Sequence, residues 1–349
     1  MKTEEFDFDL PPDRIAQVPL PERDASRLLV LNRANANIEH SRFCALPGFL
    51  QTGDLLVVNR SRVVPARLLG TTRGGGRAEV FYLFPEPTDP TTFRAFVRPG
   101  RKLPIGAVVR LGGPDSCTVV AVHPDGARTM RFEGHSNLLE TVQRLGHLPL
   151  PPYIDRAAGP LDQDRYQTVF AKEPGSVAAP TAGLHFTEAL LARLRDKGVL
   201  IHEIMLHVGP GTFARVHAAN IDEHRVPPEA FFVPDETAKA YAATKAGGHR
   251  VIAVGTTTVR TLESVAQPGG IKAGAGETNL MIRPGHRFQT IDAMITNFHL
   301  PKSSLLFLVS AFAGREAVLH AYGVAISEGY RFYSYGDAMF IHGSPPTEG

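Results

Sequence analysis

A block of short apolar runs between residues 67 and 134 constrains the fold of this 349-residue chain more than any other feature. RLLGTT and AEVFYLF flank the turn sequence RGGGR, and CTVVAV and TMRFEG flank HPDGA. TFRAFV and AVVRLGG lie between these two pairs. Strands this short and this closely separated by turns are typical of a small antiparallel barrel. The block therefore predicts such a barrel.

After about residue 150 the pattern changes to helices that alternate with aliphatic strands. FTEALLARLRDKG (186–198) has the apolar spacing, the threonine N-cap and the terminal glycine of a helix. RVIAVG (250–255) reads as a buried strand, and TTTVRTLES follows it as a helix. We therefore predict the α/β class, with a discontinuous α/β domain (residues 1–66 and 150–349) and an inserted small antiparallel β-barrel domain (residues 67–149).

Composition restricts the class of protein further. Apolar residues make up 43% of the chain and charged residues 21%, as in ordinary folded proteins. Cys44 and Cys117 are too few for a disulfide framework or a cysteine zinc cluster. The acidic amino terminus has no apolar run of a secretory signal, and LLFLVSAFA (305–313) is far shorter than the ~20 residues of a membrane span. We expect a cytoplasmic protein that does not associate with membranes.

The segment APTAGLHFT (179–187) is the first that could carry chemistry. Its small residues, Thr181 and Gly183 among them, precede a helix start, where main-chain N–H groups can contact a ligand. His185 would lie beside that ligand and could move a proton near neutral pH. Close packing of a strand against a helix, with His185 as a core residue, is the alternative.

Two glycine-threonine turns follow strands in the same predicted domain. HVGPGTF contains Gly209, Gly211 and Thr212, and AVGTTT contains Gly255, Thr256 and Thr257. Ligands usually bind at the carboxyl ends of strands in open α/β sheets. No G-x-G-x-x-G motif is present, so a standard dinucleotide fold is not indicated. Ordinary tight turns and helix caps are the alternative for both segments.

The last two segments are TNFHLPKSSLLFLVSAFAG (296–314) and YRFYSYGDAMFI (330–341). Asn297 and His299 precede a strongly apolar helix, and Asp337 follows a group of tyrosines. The aromatic residues are most simply core residues, whereas Asp337 could hold a ribose or accept a proton. Four polar, glycine-rich junctions in one domain are hard to explain by packing alone.

These segments, in this order, resemble the signature segments of the S-adenosylmethionine:tRNA ribosyltransferase-isomerases of queuosine biosynthesis. The amino-terminal stretches FDFDLPPDRIAQVPLPERDASRLLVL and GDLLVVN also match, so that the resemblance covers nearly the whole chain. It implies that the ribosyl part of S-adenosylmethionine is joined to 7-aminomethyl-7-deazaguanine at the tRNA wobble position. The ribose rearranges to give epoxyqueuosine, and adenine and methionine are released.

The resemblance implies S-adenosylmethionine as co-substrate, no further cofactor, no metal, and a monomer. Such a reaction needs a base for the acidic carbon beside the sulfonium and a proton donor for the leaving adenine. For these roles we select His185, with His299 and Asp337 next. The residues expected to bind S-adenosylmethionine are Thr181, Gly183, Gly209, Gly211, Thr212, Gly255, Thr256, Thr257 and Asn297.

A tRNA substrate requires basic residues that contact phosphates. The net charge of +2 does not reveal such a surface by itself, but several arginines fall in or near the predicted barrel. The tRNA-binding candidates are Arg60, Arg62, Arg98, Arg101 and Lys102; ordinary solvated charge is the alternative for each. A conventional methyltransferase and a non-catalytic RNA-binding module remain rival classes. The first lacks its glycine-rich turn here, and the second does not explain the histidine-bearing junctions.

Overall fold

A computed structural model describes residues 1–86, 89–134, 137–209, 211 and 216–345. The strands of this part of the chain are β1 (Arg27–Asn32), β2 (Asn37–Arg42), β3 (Leu55–Asn59), β4 (Ser61–Val63), β5 (Arg67–Thr72), β6 (Arg77–Pro85), β7 (Thr92–Arg98), β8 (Val108–Gly112), β9 (Asp115–Val122), β10 (Arg128–Glu133), β11 (Gly146–His147), β12 (Glu173–Ser176), β13 (Leu200–Leu206), β14 (Glu229–Val233), β15 (Val251–Val254), β16 (Ala266–Gln267), β17 (Gly270–Ile271), β18 (Gly274–Thr278), β19 (Ala293–Asn297) and β20 (Ala338–His342). Its α-helices are α1 (Leu138–Leu145), α2 (Pro160–Arg165), α3 (Glu188–Asp196), α4 (Asp235–Ala246), α5 (Thr256–Ser264), α6 (Ser304–Ala313) and α7 (Arg315–Ser327).

The larger sheet has nine strands in the order β18-β14-β13-β3-β15-β19-β20-β1-β2. The four central strands, β13 to β19, run parallel, and β20 pairs antiparallel with β19 but parallel with β1. The central strands are aliphatic on both faces because helices cover both faces. Leu55 and Val57 pack with α5, α6 and α7, whereas Leu56 and Val58 pack with α3.

The smaller sheet closes into a barrel. Its six strands follow the order β5-β6-β7-β10-β9-β8, and β8 pairs again with β5. Alternate side chains fill the interior, among them Val80, Phe93, Val109 and Met130, because successive residues of a strand point to opposite faces. Helix α1 follows β10, and β11 then extends the sheet at β5. The predicted fold class, α/β with a small antiparallel barrel, is confirmed.

Both ends of the chain contribute to the larger sheet. Leu28 to Asn32 of β1 pair with Ala338 to His342 of β20, although about 310 residues separate them. The barrel strands β5 to β10 all come from the chain between β4 and α1. This topology is that of an insertion, while the domain boundaries at residues 66 and 150 stay a prediction.

Cys44 and Cys117 are both unpaired, in agreement with the expectation from the sequence. Within the described ranges no single helix has the length and apolar character of a membrane span. Only α6 and α7 together meet that criterion, as a pair bent by 112°.

Candidate active site

An open cleft lies where β15 and β19 end and α5 begins. It contains about 620 Å³ of empty space, including solvent at its mouth. Its wall is formed by Tyr153, Ala179, Pro180, Thr181, Ala182, Val208, Gly255, Thr256, Thr257, Thr296, Asn297, Phe298, His299, Leu300, Ser303, Leu305, Tyr333 and Ser334. The carboxyl ends of parallel strands are the usual place for a ligand in an open α/β sheet.

The first turn of α5 forms one wall of the cleft. Gly255 precedes the helix with φ +87°, a conformation that favours glycine. Thr256 and Thr257 follow it in the first turn, where main-chain N–H groups have no partner within the helix. Asn59 Nδ2 donates to Thr257 Oγ1 at 3.4 Å and thereby ties this turn to the end of β3. The turn can therefore offer both N–H groups and a hydroxyl to an anionic ligand group.

Asn297 stands at the end of β19 with its amide fixed by three hydrogen bonds. Nδ2 donates to the carbonyl oxygens of Tyr333 (3.1 Å) and Asp337 (3.4 Å) and to His185 Nε2 (3.0 Å). The side chain is only 2% exposed, and Oδ1 has no hydrogen-bond partner in the described part of the chain. A buried acceptor without a partner is costly, so the cleft offers a site for a donor group.

His185 lies behind Asn297 and not in the cleft wall. Because Asn297 donates to Nε2, Nδ1 carries the proton and donates to Ser26 Oγ at 2.8 Å. The ring stacks on Phe43 with centroids 5.0 Å apart. Burial, with smaller effects of Arg331 and Arg23, lowers the pKa of His185 to about 3. The geometry makes His185 a neutral support for Asn297, and its predicted role as acid or base stays a prediction.

His299, in contrast, lines the cleft. Its main-chain N–H donates to Tyr322 Oη at 2.9 Å, which fixes the residue after β19. Nε2 lies 2.7 Å from Thr296 Oγ1, and the single proton of that hydroxyl can go either to Nε2 or to the carbonyl oxygen of Asn297 at 3.3 Å. In the tautomer with the ring proton on Nε2, that nitrogen donates to Thr296, and Nδ1 has an unshared lone pair and no partner among the residues described. Burial lowers the pKa of His299 to about 3, so the ring is neutral near pH 7.

Asp337 lies outside the cleft, at a separate cavity that it lines with Arg27. Oδ1 accepts the main-chain N–H of Arg27 and Oδ2 that of Arg331, both at 2.8 Å. Burial raises the pKa of Asp337, opposed by these two hydrogen bonds. The carboxylate joins β1 to the segment before β20, and its predicted role in proton transfer stays a prediction.

The remaining predicted ligand-binding residues divide between two environments. Thr181 lines the cleft, whereas Gly183 is packed so tightly against Phe170 and Thr168 that a Cβ would lie 2.8 Å from each. Gly183 is thus explained by packing.

The glycines of the turn after β13 lie near a buried ion pair. The Gly209 N–H donates to Glu229 Oε1 at 2.7 Å, and Glu229 in turn pairs with Arg260. A Cβ on Gly211 would be 3.2 Å from the Pro227 ring. Thr212, predicted with them, lies outside the described residues.

Three residues of the cleft, Tyr153, Tyr333 and Ser334, were not predicted from the sequence. Tyr153 Oη and Ser334 Oγ are 2.6 Å apart, and the rings of Tyr153 and Tyr333 are 4.5 Å apart. Tyr333 has φ +70°, an unusual conformation for a residue with a side chain. Strain of this kind is concentrated at functional sites. The proline-rich segment 147–155 is the sequence feature that could have indicated Tyr153, since it leads the chain from the barrel back to the cleft.

The basic residues predicted to bind tRNA differ in their surroundings. Arg60 is enclosed by carboxylates, with Glu173 Oε1 at 2.7 Å and Glu203 Oε2 at 3.6 Å. Arg62, Arg98, Arg101 and Lys102 are exposed, and none has an ion pair with a residue that the structure describes. The binding of RNA by all five stays a prediction. The described ranges contain no group of three or more His, Cys, Asp or Glu residues that could hold a metal ion.

A family model, relatives of known name and a solved structure all relate this chain to the same family. A family described as "Queuosine biosynthesis protein" matches residues 3–341. The S-adenosylmethionine:tRNA ribosyltransferase-isomerase of Moorella thermoacetica is 53% identical over 98% of this chain and all of its own length, and that of Desulfitobacterium hafniense is 50% identical with the same coverage. The crystal structure of S-adenosylmethionine tRNA ribosyltransferase from Thermotoga maritima is 38% identical, with a TM-score of 0.56 over 97% of this chain and 99% of that one.

Proposed function

The chain belongs to the queuosine biosynthesis protein family, and we propose that it transfers the ribosyl group of S-adenosylmethionine to tRNA and isomerises it. The acceptor is 7-aminomethyl-7-deazaguanine at the wobble position, and the product is epoxyqueuosine, with adenine and methionine released. It is therefore a transferase-isomerase with S-adenosylmethionine as co-substrate. Action as a monomer in the cytoplasm, without a metal, stays a prediction.

The chemistry begins with loss of a proton from the carbon beside the sulfonium. We assign the base to His299, because it lines the cleft and its Nδ1 makes no hydrogen bond with a described residue; the assignment uses the tautomer in which Nε2–H donates to Thr296. The imidazolium formed in this step would then supply a proton to the departing adenine. The single observation that carries the proposal is this unpartnered ring nitrogen in the same cleft as Asn297 and the start of α5.

The donor is held from two sides in this proposal. The first turn of α5, with Gly255, Thr256 and Thr257, suits the carboxylate of the methionine part, since N–H groups and the helix dipole favour negative charge. Asn297 Oδ1 accepts a hydrogen bond from a ribose hydroxyl or the methionine ammonium group. Thr181 also lines the cleft.

The tRNA requires contacts beyond the cleft. Arg62, Arg98, Arg101 and Lys102 are exposed cations that suit phosphate contacts. Arg60 is the weakest of the five candidates because Glu173 and Glu203 already balance its charge.

The test uses wild-type protein, S-adenosylmethionine and tRNA that carries the aminomethyl-deazaguanine, with identification of the small products. Adenine together with methionine supports the proposal. S-adenosylhomocysteine would instead indicate methyl transfer, and no product would indicate a binding module. We expect His299→Gln to lower kcat for adenine release by at least about a hundredfold, with S-adenosylmethionine affinity within a few-fold of wild type. His320→Gln, at an exposed position of α7, is the matched control.

A further inference from the structure

A second open region, next to the cleft, is lined by arginines that no role described so far uses. Arg23, Arg165 and Arg331 line one cavity with about 280 Å³ of empty space, and Arg27, Arg42 and Arg331 line an adjoining one with about 860 Å³. The two cavities share Leu20, Glu22 and Arg331. We call these five arginines and the space between them the arginine groove.

Main-chain carbonyl oxygens hold the guanidinium groups of the groove in place. Arg165 donates to Leu20 and Pro21, Arg23 to Gln167 and Leu184, Arg27 to Glu328, Arg42 to Ala25 and Arg331 to Val18, at 2.5–3.3 Å. Arg27 also lies 3.7 Å above the ring of Tyr330. A carbonyl oxygen fixes a guanidinium without neutralising it, and a guanidinium has five N–H donors, so most of them stay available.

Carboxylates compensate little of this charge. Asp164, 3.6 Å from Arg23, forms the one ion pair that the described residues make with the five arginines. Glu22 lines both cavities but has no ion pair within the described ranges. Asp337 lines the larger cavity, and its charge acts on Arg27 and Arg331 without a direct ion pair to either among the described residues. The arginines thus outnumber the carboxylates that line the groove, and like charges around one open groove repel each other.

We propose that the arginine groove binds phosphate groups of the tRNA backbone, an inference that rests on the proposed function for the identity of the RNA. Planar guanidinium groups match phosphate oxygens in pairs, and several fixed guanidiniums along an open groove suit a chain of phosphates better than one small anion. Ser334 lines both the groove and the active-site cleft. A strand bound in the groove therefore passes beside the cleft that must receive its modified base.

The salt dependence of tRNA binding tests this inference without any need for turnover. Arg42 and Arg331 suit substitution because the side chain of each makes only one hydrogen bond to a described residue, at 3.3 Å. The double variant Arg42→Gln/Arg331→Gln should lower the slope of log Kd against log salt by about 1.5, and each lost contact should weaken tRNA binding about sixfold at 0.1 M salt. The S-adenosylmethionine affinity, measured by calorimetry, should equal that of wild type and so report an intact fold.

Arg195→Gln is the matched control, because Arg195 is an exposed arginine of α3 with no partner among the described residues. A double variant with the slope of this control would overturn the proposal. So would a slope that responds only to Arg98→Gln and Lys102→Gln, because the barrel alone would then carry the RNA. Inorganic phosphate that stabilises wild type but not the double variant, with unchanged tRNA binding, would assign the groove to a free anion and refute the proposal. Wild-type protein that binds tRNA normally but releases no adenine would refute the proposed function and leave the groove assignment standing.

Discussion

The protonation of His185 provides the sharpest test of the site geometry. In the folded protein its pKa is lowered to about 3, mainly by burial, against an ordinary value of 6.5. Between these two values the unfolded chain binds a proton that the folded protein does not bind. Stability is therefore complete above pH 6.5, falls as the pH drops through 6.5, and stops falling near pH 3.

The size of the effect follows from the same two values. At pH 5 the unfolded chain gains about 2 kcal/mol from protonation of this one histidine, from an unfolded pKa of ~6.5. His299 contributes a second loss of the same direction, since burial lowers its pKa to about 3 as well. Wild type should thus lose the contributions of both histidines between pH 7 and pH 5.

The perturbation is His185→Gln, which removes the titrating ring and keeps a polar side chain near Ser26 and Asn297. Urea unfolding followed by circular dichroism at pH 7 and pH 5 gives the loss for each protein. We expect the variant to be less stable than wild type at pH 7 and to lose about 2 kcal/mol less between the two pH values. His320→Gln, the exposed control, should show the wild-type loss.

Equal losses in wild type and His185→Gln would refute the reasoning. They would mean that the folded protein protonates His185 as readily as the unfolded chain does. In that case Nε2 would be free to take a proton, and its hydrogen bond from Asn297 would be wrong. The result would support the role as acid or base that the sequence predicts for His185.

Two further substitutions test buried contacts outside the cleft. Glu229→Gln leaves the buried Arg260 charge without its partner and should cost roughly 3 kcal/mol in equilibrium unfolding; a change below 1 kcal/mol would contradict the buried pair. Gly146→Ala places a Cβ 1.8 Å from the Pro65 carbonyl oxygen and should lower the free energy of unfolding by roughly 3 kcal/mol. Gly48→Ala, where a Cβ would have nothing within 4 Å, should be nearly neutral in the same equilibrium unfolding experiment.

The fold could be predicted where local patterns decide it. Short runs between turns specified the barrel strands, and aliphatic runs followed by capped helices specified the α/β part. The pairing of β1 with β20 joins segments about 310 residues apart, and the closing contact of the barrel joins β5 to β8. Nothing in the local sequence of either strand encodes its partner, so these pairings had to come from the structure.

The site could be predicted only to the level of segments. Asn297, His299 and the start of α5 meet in one cleft because consecutive parallel strands end at the same edge of the sheet. Asp337 lies near the same edge, because antiparallel pairing sets Ala338 opposite Asn297, but its oxygens accept main-chain N–H groups and its side chain lines a different cavity. Tyr153 was not predicted as a site residue, because it lies in a proline-rich connector whose sequence has no periodic pattern that would mark a functional side chain.

The segment 179–187 shows why residue types alone left two explanations open. Thr181 and Ala182 are wall residues of the cleft, so their small size leaves room for a ligand. Gly183 is the next residue, and it is small because Phe170 and Thr168 leave no space for a Cβ. Close packing thus explains Gly183, whereas ligand binding at Thr181 stays a prediction that its place in the cleft wall supports. His185 follows as a buried residue that lines the neighbouring cavity of about 280 Å³ with Arg23 and Arg331, and its role as acid or base stays a prediction.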